Sequence, residues 1–478
     1  MLFNSLAFAL FLPIVFAIYW SIPARQIKWQ NVVVLISSYV FYGWWDWRFL
    51  GLILFSSLVD FTIGQRIAKA SNPSAKKMLL GISLSVNLGL LAYFKYLNFF
   101  IESFVSAFDS VGIAMNVSSL HIILPVGISF YTFQTLSYSI DIYRGQLEPS
   151  RNLVSFLAFV SFFPQLVAGP IERASNLMPQ FARERKFDYQ EAVLGMRQIL
   201  WGLFKKVVIA DNCAMLVDQI FSTYDTQPGN MLIVGAVLFA FQIYGDFSGY
   251  SDIAIGVSRL FGFNLMTNFR TPYFSRDIAE FWRRWHISLS TWFRDYLYIP
   301  LGGSRGGQKM RIRNTMIIFL VSGFWHGANW TFVIWGGLNA LFFLPLLLGG
   351  QNRSNLNTVA EGRTFPTFTE LRQVLATFAL TCLAWVFFRA ESLEQALGYL
   401  QGIFSQAWSL DPMWLVVHAP LVVSILVLLG LDWHNRTRDV PLNLKGRPLS
   451  RKLVYIALGL SVFLLSPGQE VSFIYFQF

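Results

Sequence analysis

Apolar runs of roughly membrane-spanning length recur along this sequence from end to end, and they restrict its fold more than any other feature. Of its 478 residues, 55% are hydrophobic and only 13% are charged, and the mean hydropathy is +0.49. Soluble domains carry about 25% charged residues, so this chain has too little charge to cover a globular surface in water. Because a chain in lipid must satisfy its backbone hydrogen bonds internally, the sequence predicts an all-α polytopic membrane protein.

The sequence shows no sign of a division into parts. No linker, low-complexity tract or internal repeat occurs, which predicts a single integral-membrane domain over residues 1–478. The first apolar run has no basic residues before it and no small-residue cleavage site, so we interpret it as a retained span. Cys213 and Cys382 lie far apart and no metal-ligand spacing occurs, so no metal and no bound cofactor are predicted. The net charge of +11 lies in short loops and does not indicate nucleic acid.

The distribution of Lys and Arg among the loops predicts the orientation of the spans. Residues 66–77 carry four basic residues, and residues 436–452 carry six. Residues 101–120 carry two acidic residues and no basic residue. Since basic loops stay in the cytoplasm, we expect the N-terminus and residues 101–120 to lie outside.

Proline and glycine predict interruptions of helix at two places within the membrane region. The first is Pro-Val-Gly at 125–127, and the second is FFPQLVAGPIER at 162–173. Prolines this close together cannot continue one straight helix. Irregular backbone at membrane depth is tolerated only where protein or a wet cavity satisfies it, so we expect re-entrant or broken elements that line the interior.

Polar side chains at the end of the apolar run 231–263 are candidates for a chamber lining. The octapeptide GDFSGYSD at 245–252 brings Asp246, Ser248 and Asp252 close together. Carboxylates in an apolar run usually face a cavity or an ion path. They are also found where a span ends at the membrane interface, and both interpretations remain open here.

Residues 277–296 are patterned as a helix with an aromatic face and a basic face. Such a helix is typical of the membrane surface, where it can act as a simple anchor. The alternative is ligand binding, because guanidinium groups pair with phosphate in a two-pronged geometry. Arg283, Arg284 and Arg294 are therefore candidates for binding a phosphate-bearing donor.

A histidine inside an apolar run is the leading candidate for chemistry. The nonapeptide SGFWHGANW at 322–330 contains His326. Residues 314–349 are too many for one upright span and few for two, so we expect a tilted span joined to a broken helix, with His326 near the break. An ionisable group at membrane depth is usually functional, and imidazole exchanges protons near neutral pH. A core histidine bonded between helices is the alternative.

Several motifs together resemble those of the membrane-bound O-acyltransferase (MBOAT) family. FWRRWHIS at 281–288 is followed about one helical hairpin later by His326, and further matches occur at 1–5, 163–173, 245–256, 294–303 and 473–478. The resemblance is closest to the branch that contains the membrane subunit of bacterial alginate O-acetyltransferase. It implies a ring of roughly ten to twelve transmembrane helices around a central reaction chamber, in the bacterial inner membrane.

The resemblance also implies an activity and its participants. An acetyl group would pass from a cytoplasmic thioester, acetyl-CoA or another acyl donor, toward an extracytoplasmic exopolysaccharide such as alginate. The family's near-invariant histidine corresponds to His326, the expected general base, and its second motif position corresponds to His286. Trp325 and Asn329 are expected to line the chamber and are candidate oxyanion donors. A periplasmic O-acetyltransferase partner protein is expected to dock on residues 101–120 or 389–411, and membrane lipids to complete the wall.

Two other functions remain open at this level. One is an acyltransferase of the same fold with another acceptor, such as D-alanyl transfer to teichoic acid or acylation of a lipid. The other is a non-catalytic transporter of an acylated lipid or sugar, which would normally show internal repeats and paired charges at the midplane.

Overall fold

The computed structural model describes residues 1–478 except 116, 118, 119, 121, 410, 411, 439, 443, 445–447, 469–472 and 475–478. The residues that it describes contain helices and loops and no β-strand, which confirms the all-α prediction. Part of the closing motif at 473–478 and parts of the two predicted partner-docking loops lie outside the described residues.

In the part of the chain that the structure describes, five helical segments are long and apolar enough to cross a membrane. They are Ile27–Lys69, Pro73–Asp109, Gly229–Leu260, Trp330–Leu348 and Phe368–Arg389. Leu6–Ser21 and Ala419–Asn435 are shorter apolar helices. These segments agree with a multi-pass membrane protein, and the expected total of roughly ten to twelve spans remains a prediction.

The chain forms two compact units. Unit 1 comprises residues 1–192 and 257–266, and unit 2 comprises residues 193–256 and 267–478. The expectation of a single functional domain is a separate matter and remains a prediction.

Unit 1 is built mainly from eight helices in its described part. They are α1 (Leu6–Ser21), α2 (Ile27–Asp46), α3 (Leu50–Lys69), α4 (Pro73–Leu91), α5 (Leu97–Asp109), α6 (Ile128–Tyr143), α7 (Leu153–Val160) and α8 (Ala174–Phe181). Helix α6 begins directly after Gly127, whose φ of 75° lies in the left-handed region that glycine adopts without strain. The Pro-Val-Gly sequence therefore starts a helix instead of breaking one.

The proline-containing segment at 162–173 is irregular and buried, as predicted. Residues 161–172 are all buried and none lies in a helix. The backbone N–H of Phe163 donates to Ser38 Oγ at 3.0 Å, and Gln165 donates to Gln134 Oε1 at 2.6 Å. Side chains of neighbouring helices thus supply hydrogen-bond partners to an interior loop.

A cluster of polar side chains, which we call the Asp60 cluster, lies at the meeting point of α3, α4 and α6. Asp60 is fully buried and accepts hydrogen bonds from Ser83 at 2.5 Å, from Asn87 at 2.9 Å and from Ser139 at 3.2 Å. Thr135 donates to the amide oxygen of Asn87 at 3.0 Å. Both carboxylate oxygens of Asp60 have protein donors, so the cluster joins three helices through satisfied polar groups.

Unit 2 contains most of the remaining helices. They are α9 (Tyr189–Leu203), α10 (Asp211–Ser222), α11 (Gly229–Leu260), α12 (Ile278–Arg284), α13 (Ile287–Phe293), α14 (Gly307–His326), α15 (Trp330–Leu348), α16 (Phe368–Arg389), α17 (Leu393–Ser405), α18 (Pro412–Val417), α19 (Ala419–Asn435) and α20 (Pro448–Leu464). A π-helical segment, Phe204–Ala210, joins α9 to α10. Helices α9 and α11 lie mainly in this unit.

Helices α14 and α15 form an antiparallel hairpin with close backbone contact. A methyl group on Gly323 would overlap the carbonyl oxygen of Phe332, and one on Gly336 would overlap that of Phe319. Small residues permit this close approach of two helices in a membrane protein. The expected tilted span joined to a broken helix is instead a pair of full helices, because α14 begins at Gly307, well before the apolar run, and α15 continues to Leu348.

Two further expectations differ from the structure. Helix α11 does not end at residues 245–252 but continues to Leu260. Residues 277–296 do not form one surface helix: α12 and α13 are separate, and Trp285, Leu289 and Trp292 are buried in the core. Tertiary packing overrides the amphipathic pattern at this place.

Candidate active site

His326 is the last residue of α14, at the break between the two arms of the hairpin. Gly327 has an extended backbone, and Asn329 caps α15 by accepting a hydrogen bond from the N–H of Thr331 at 3.0 Å. This side-chain cap begins a new helix and so fixes where the hairpin turns. The predicted break next to His326 is confirmed, and the side chain is 3% exposed.

Aromatic rings enclose the imidazole of His326. Ring centres lie 4.8 Å away at Trp325, 5.1 Å at Trp335 and 5.3 Å at Phe388. Trp335 in turn stacks on Trp385 at 5.6 Å with an interplanar angle of 16°. These contacts come from α14, α15 and α16, and they place the imidazole in a surrounding of low polarity.

His286 lies beside His326, with ring centres 6.5 Å apart. It occupies the junction between α12 and α13 and has a φ of 43°, in the left-handed region. Such a backbone is strained for a residue other than glycine and is retained where the surroundings enforce it, often at functional sites. The structure thus brings together the two histidines that the sequence singled out.

Two neighbours orient the fully buried ring of His286. Its Nδ1 lies 3.1 Å from Asn268 Oδ1 and 3.4 Å from Ser288 Oγ, whereas its Nε2 has no hydrogen-bond partner among the described residues. His286 lies outside the five candidate spans, and burial lowers its pKa to about 3. The imidazole is therefore neutral near pH 7. Sequence reasoning missed Asn268, because a lone Asn eighteen residues earlier carries no motif.

The arginines expected at a donor site line two different cavities of unit 2. The first cavity, of about 270 Å³, is polar and is lined by Arg283, Arg284 and Asp252, among others. The second, of about 510 Å³, has Arg294, Arg311 and Arg353 along an otherwise largely apolar wall. It also reaches Ser322, one helical turn before His326. His326 itself is not among the residues that line either cavity.

Each of the three predicted donor-binding arginines also contacts protein groups. Arg283 donates to the carbonyl oxygens of Asn352 and Asn355, both at 2.8 Å. Arg284 forms an ion pair with Glu280 at 2.9 Å, and Arg294 forms one with Asp295 at 2.7 Å. Arg294 is exposed, so its ion pair is weak and can be exchanged for another anion.

The three predicted lining residues of α11 engage two lysines of the π-helical segment. Lys206 Nζ lies 2.8 Å from Asp246 Oδ1. Lys205 forms an ion pair with Asp252 and donates to Ser248 Oγ at 2.7 Å. Of the three, only Asp252 lines one of the two cavities. Charge neutralisation by Lys205 and Lys206 explains why α11 continues through residues that the sequence placed at its end.

Trp325 and Asn329, the remaining predicted site residues, lie on either side of the turn after His326. The ring centre of Trp325 is 6.1 Å from that of His286, so it lies close to both imidazoles. The side chain of Asn329 caps α15 and donates to the carbonyl oxygen of Glu391 at 2.9 Å. Both the oxygen and the nitrogen of the Asn329 amide are therefore already hydrogen-bonded to the backbone.

Comparisons with known proteins identify the family to which the chain is similar. Residues 150–382 match the sequence profile of MBOAT, the membrane-bound O-acyltransferase family. The chain is 42% identical to the probable alginate O-acetylase AlgI of Azotobacter vinelandii, over 90% of this chain and 83% of that protein. It is 36% identical to the peptidoglycan O-acetyltransferase of Helicobacter pylori, over 84% and 80%. It is 33% identical to the teichoic acid D-alanyltransferase of Streptococcus thermophilus, over 44% and 54%.

Proposed function

Because the chain belongs to the membrane-bound O-acyltransferase family, and is thus a multi-pass membrane O-acyltransferase, we propose that it moves an acetyl group from a cytoplasmic thioester for O-acetylation of an extracytoplasmic polysaccharide such as alginate. The observation that carries this proposal is the pair of buried imidazoles 6.5 Å apart, at a helix break enclosed by aromatic rings. The relatives from Azotobacter and Helicobacter are both named for O-acetylation, which supports acetyl as the group.

The proposed reaction uses His326 as a general base. A hydroxyl is a weak nucleophile near pH 7, so a neighbouring base must accept its proton as the oxygen attacks the thioester carbonyl. The new bond joins the acceptor oxygen to the acetyl carbon, and the carbon–sulfur bond breaks. The proton taken by His326 then passes to the departing thiolate, so atoms and charge balance. Trp325, close to both imidazoles, is the proposed donor to the oxyanion, since the amide of Asn329 is already used.

The donor is proposed to enter through the second cavity of unit 2. Its apolar wall suits the arm of a thioester such as acetyl-CoA, and its arginines suit a phosphate. Its extension to Ser322 leads toward His326, because the two residues are one turn apart on α14. Arg294 belongs to this cavity, whereas Arg283 and Arg284 belong to the polar one and are proposed to support the donor from that side.

The proposed setting is the bacterial inner membrane, with the N-terminus outside. The loop charges support this orientation, because residues 66–77 and 436–452 are basic and residues 101–120 are not. A periplasmic O-acetyltransferase partner is proposed to receive the acetyl group or present the polymer, at residues 101–120 or 389–411. Membrane lipids are proposed to complete the wall around the site.

The test is acetyl transfer by the purified protein in lipid nanodiscs, from acetyl-labelled thioester to alginate oligosaccharide, with the partner protein added in a parallel arm. His326→Ala is expected to lower the rate by about 10²–10⁴-fold, the usual contribution of a positioned base. His418→Ala is the matched control, because His418 lies in another part of unit 2, where it contacts Trp414. Size-exclusion chromatography verifies that each variant is folded.

Three results would contradict the proposal. If folded His326→Ala protein transfers acetyl at the wild-type rate, His326 is not the general base. Movement of label without release of thiol indicates a transporter. Transfer of D-alanyl from a carrier-protein thioester, with no acetyl transfer, assigns the chain to the teichoic acid D-alanyltransferases. Mass spectrometry of the host exopolysaccharide, with and without the gene, tests the acceptor independently.

A further inference from the structure

Asn268 is joined to the His286 turn by several hydrogen bonds. Its side chain is fully buried, and its Oδ1 accepts hydrogen bonds from the Oγ of Ser288 at 2.8 Å and from the backbone N–H of Ser288 at 3.3 Å. The same oxygen lies 3.1 Å from His286 Nδ1. Its backbone carbonyl accepts from the N–H of Ile287 at 2.9 Å, and its Nδ2 donates to Ser251 Oγ at 3.0 Å.

These contacts fix which nitrogen of His286 carries the proton. A backbone N–H can only donate, so the amide atom that faces Ser288 N must be the oxygen. An amide oxygen can only accept, so His286 Nδ1 must donate to it and therefore carries the hydrogen. In a neutral imidazole the other nitrogen is then unprotonated, and Nε2 presents a lone pair.

Among the residues that the structure describes, none donates a hydrogen bond to that lone pair. Nε2 of His286 is buried and has no hydrogen-bond partner among the described residues. A buried acceptor without a partner costs free energy of about 1–3 kcal/mol, so it is usually satisfied by something that binds there. A ligand bound at Nε2 would lie close to His326, the proposed general base, whose ring centre is 6.5 Å from that of His286.

We infer that Asn268 is a positioning residue that holds His286 in its Nδ1–H tautomer, so that Nε2 accepts a hydrogen bond from the acceptor hydroxyl beside His326. This inference rests on the proposed acyl transfer for the identity of the ligand. Its tautomer component stands on the contacts of Asn268 alone. A general base needs its hydroxyl aligned, and a fixed acceptor on a strained turn supplies that alignment without moving during the reaction.

The direct test is nitrogen NMR of histidine-labelled protein in lipid, since pyrrole-type and pyridine-type nitrogens give separate signals. The signal of His286 is assigned as the one lost in His286→Gln. The wild type is expected to show a protonated Nδ1 and an unprotonated Nε2 at this residue. Asn268→Leu removes the acceptor and is expected to populate the other tautomer and to lower kcat by about 10²–10⁴-fold, with a smaller change in KM. Asn268→Asp restores an acceptor and is expected to restore the tautomer and bring kcat within about tenfold of the wild type.

A purely structural role for Asn268 gives a different pattern. Asn87→Leu, a matched loss of a buried and hydrogen-bonded Asn in unit 1, is expected to lower stability and to leave the His286 signal unchanged. An unchanged His286 tautomer and kcat in folded Asn268→Leu would overturn the inference. If that variant does not fold, Asn268→Asp decides: an Nε2–H tautomer, or a kcat as low as that of His286→Gln, overturns it. Absence of acetyl transfer in the wild type contradicts the proposed function instead and leaves the NMR result to judge the tautomer.

Discussion

The Asp60 cluster and the histidine pair are both polar groups buried in an apolar protein, yet they differ in one respect. Both oxygens of Asp60 accept hydrogen bonds from neighbouring helices, and the cluster is complete. At the histidine pair, Nδ1 of His286 is bonded and Nε2 has no partner in the described part of the chain. A carboxylate in a membrane helix invites a functional interpretation, but complete satisfaction indicates a role in joining helices. Incomplete satisfaction indicates a place for a ligand.

The largest effect expected outside catalysis is a loss of stability in acid, and it tests whether burial keeps the histidine pair's His286 neutral. His286 has a pKa of about 3 in the folded protein and an ordinary pKa of 6.5 in the unfolded chain. Between these values the unfolded state binds more protons, so the free energy of unfolding falls as the pH falls. The loss approaches about 1.4 kcal/mol for each pH unit below 6.5 and ends near pH 3.

Denaturant unfolding in detergent over this pH range measures the effect. His286→Gln does not titrate there, so its pH dependence is expected to be shallower than that of the wild type. Equal slopes for the two proteins would show that His286 is not held neutral by burial.

The next effect concerns the Asp60 cluster of unit 1, and it tests whether this cluster only joins helices. Asp60→Ala removes the carboxylate that accepts hydrogen bonds from Ser83, Asn87 and Ser139. The free energy of unfolding is expected to fall by about 1–3 kcal/mol, the usual cost of orphaned buried polar groups. Because both oxygens of Asp60 already accept hydrogen bonds from the protein, we expect no ligand there, and acetyl transfer per folded molecule is expected to remain at the wild-type rate. A tenfold loss of kcat with normal stability would instead identify Asp60 as part of the chemistry.

The smallest effect sharpens the comparison by testing how closely the site fits its ligand. The rings of Phe388 and Trp335 border His326, and their centres lie 5.0 Å apart. We therefore expect them to limit the space for an acyl chain beside His326. Phe388→Leu is expected to raise the butyryl-to-acetyl ratio of kcat/KM by about fivefold, since one or two added methylenes are worth about 1 kcal/mol.

A competition assay with both thioesters in one reaction gives this ratio independently of the amount of folded protein. Phe221→Leu, at another buried ring in unit 2 that stacks on Tyr399, is the matched control and is expected to leave the ratio unchanged. An unchanged ratio in Phe388→Leu as well would mean that Phe388 does not bound the acyl group.

Sequence reasoning succeeded where the signal was local. Gly327 and Asn329 mark the end of one helix and the cap of the next, so the break at His326 was predictable. The two prolines between residues 162 and 173 likewise predicted the irregular backbone that the structure shows there. In both cases the residues that determine the conformation are adjacent in the chain.

It failed where the cause was distant in sequence. Nothing near Trp285 and His286 signals a helix break, and the turn depends on contacts with Asn268. The continuation of α11 through residues 245–252 depends on Lys205 and Lys206, about forty residues earlier. A single sequence does not reveal which remote cation will neutralise a carboxylate, so such groups look like span ends.

The glycine crossing of α14 and α15 bears on how turnover can proceed. Gly323 and Gly336 bring the backbones of α14 and α15 into contact, so helix α14 has little freedom to move away from α15, and a side chain at either position would shift the helix that carries His326. In the proposed reaction, the thioester and the polymer must therefore both diffuse to the imidazole of His326, because the imidazole cannot move toward them. The pace of the enzyme would then be set by how quickly its two substrates arrive and leave.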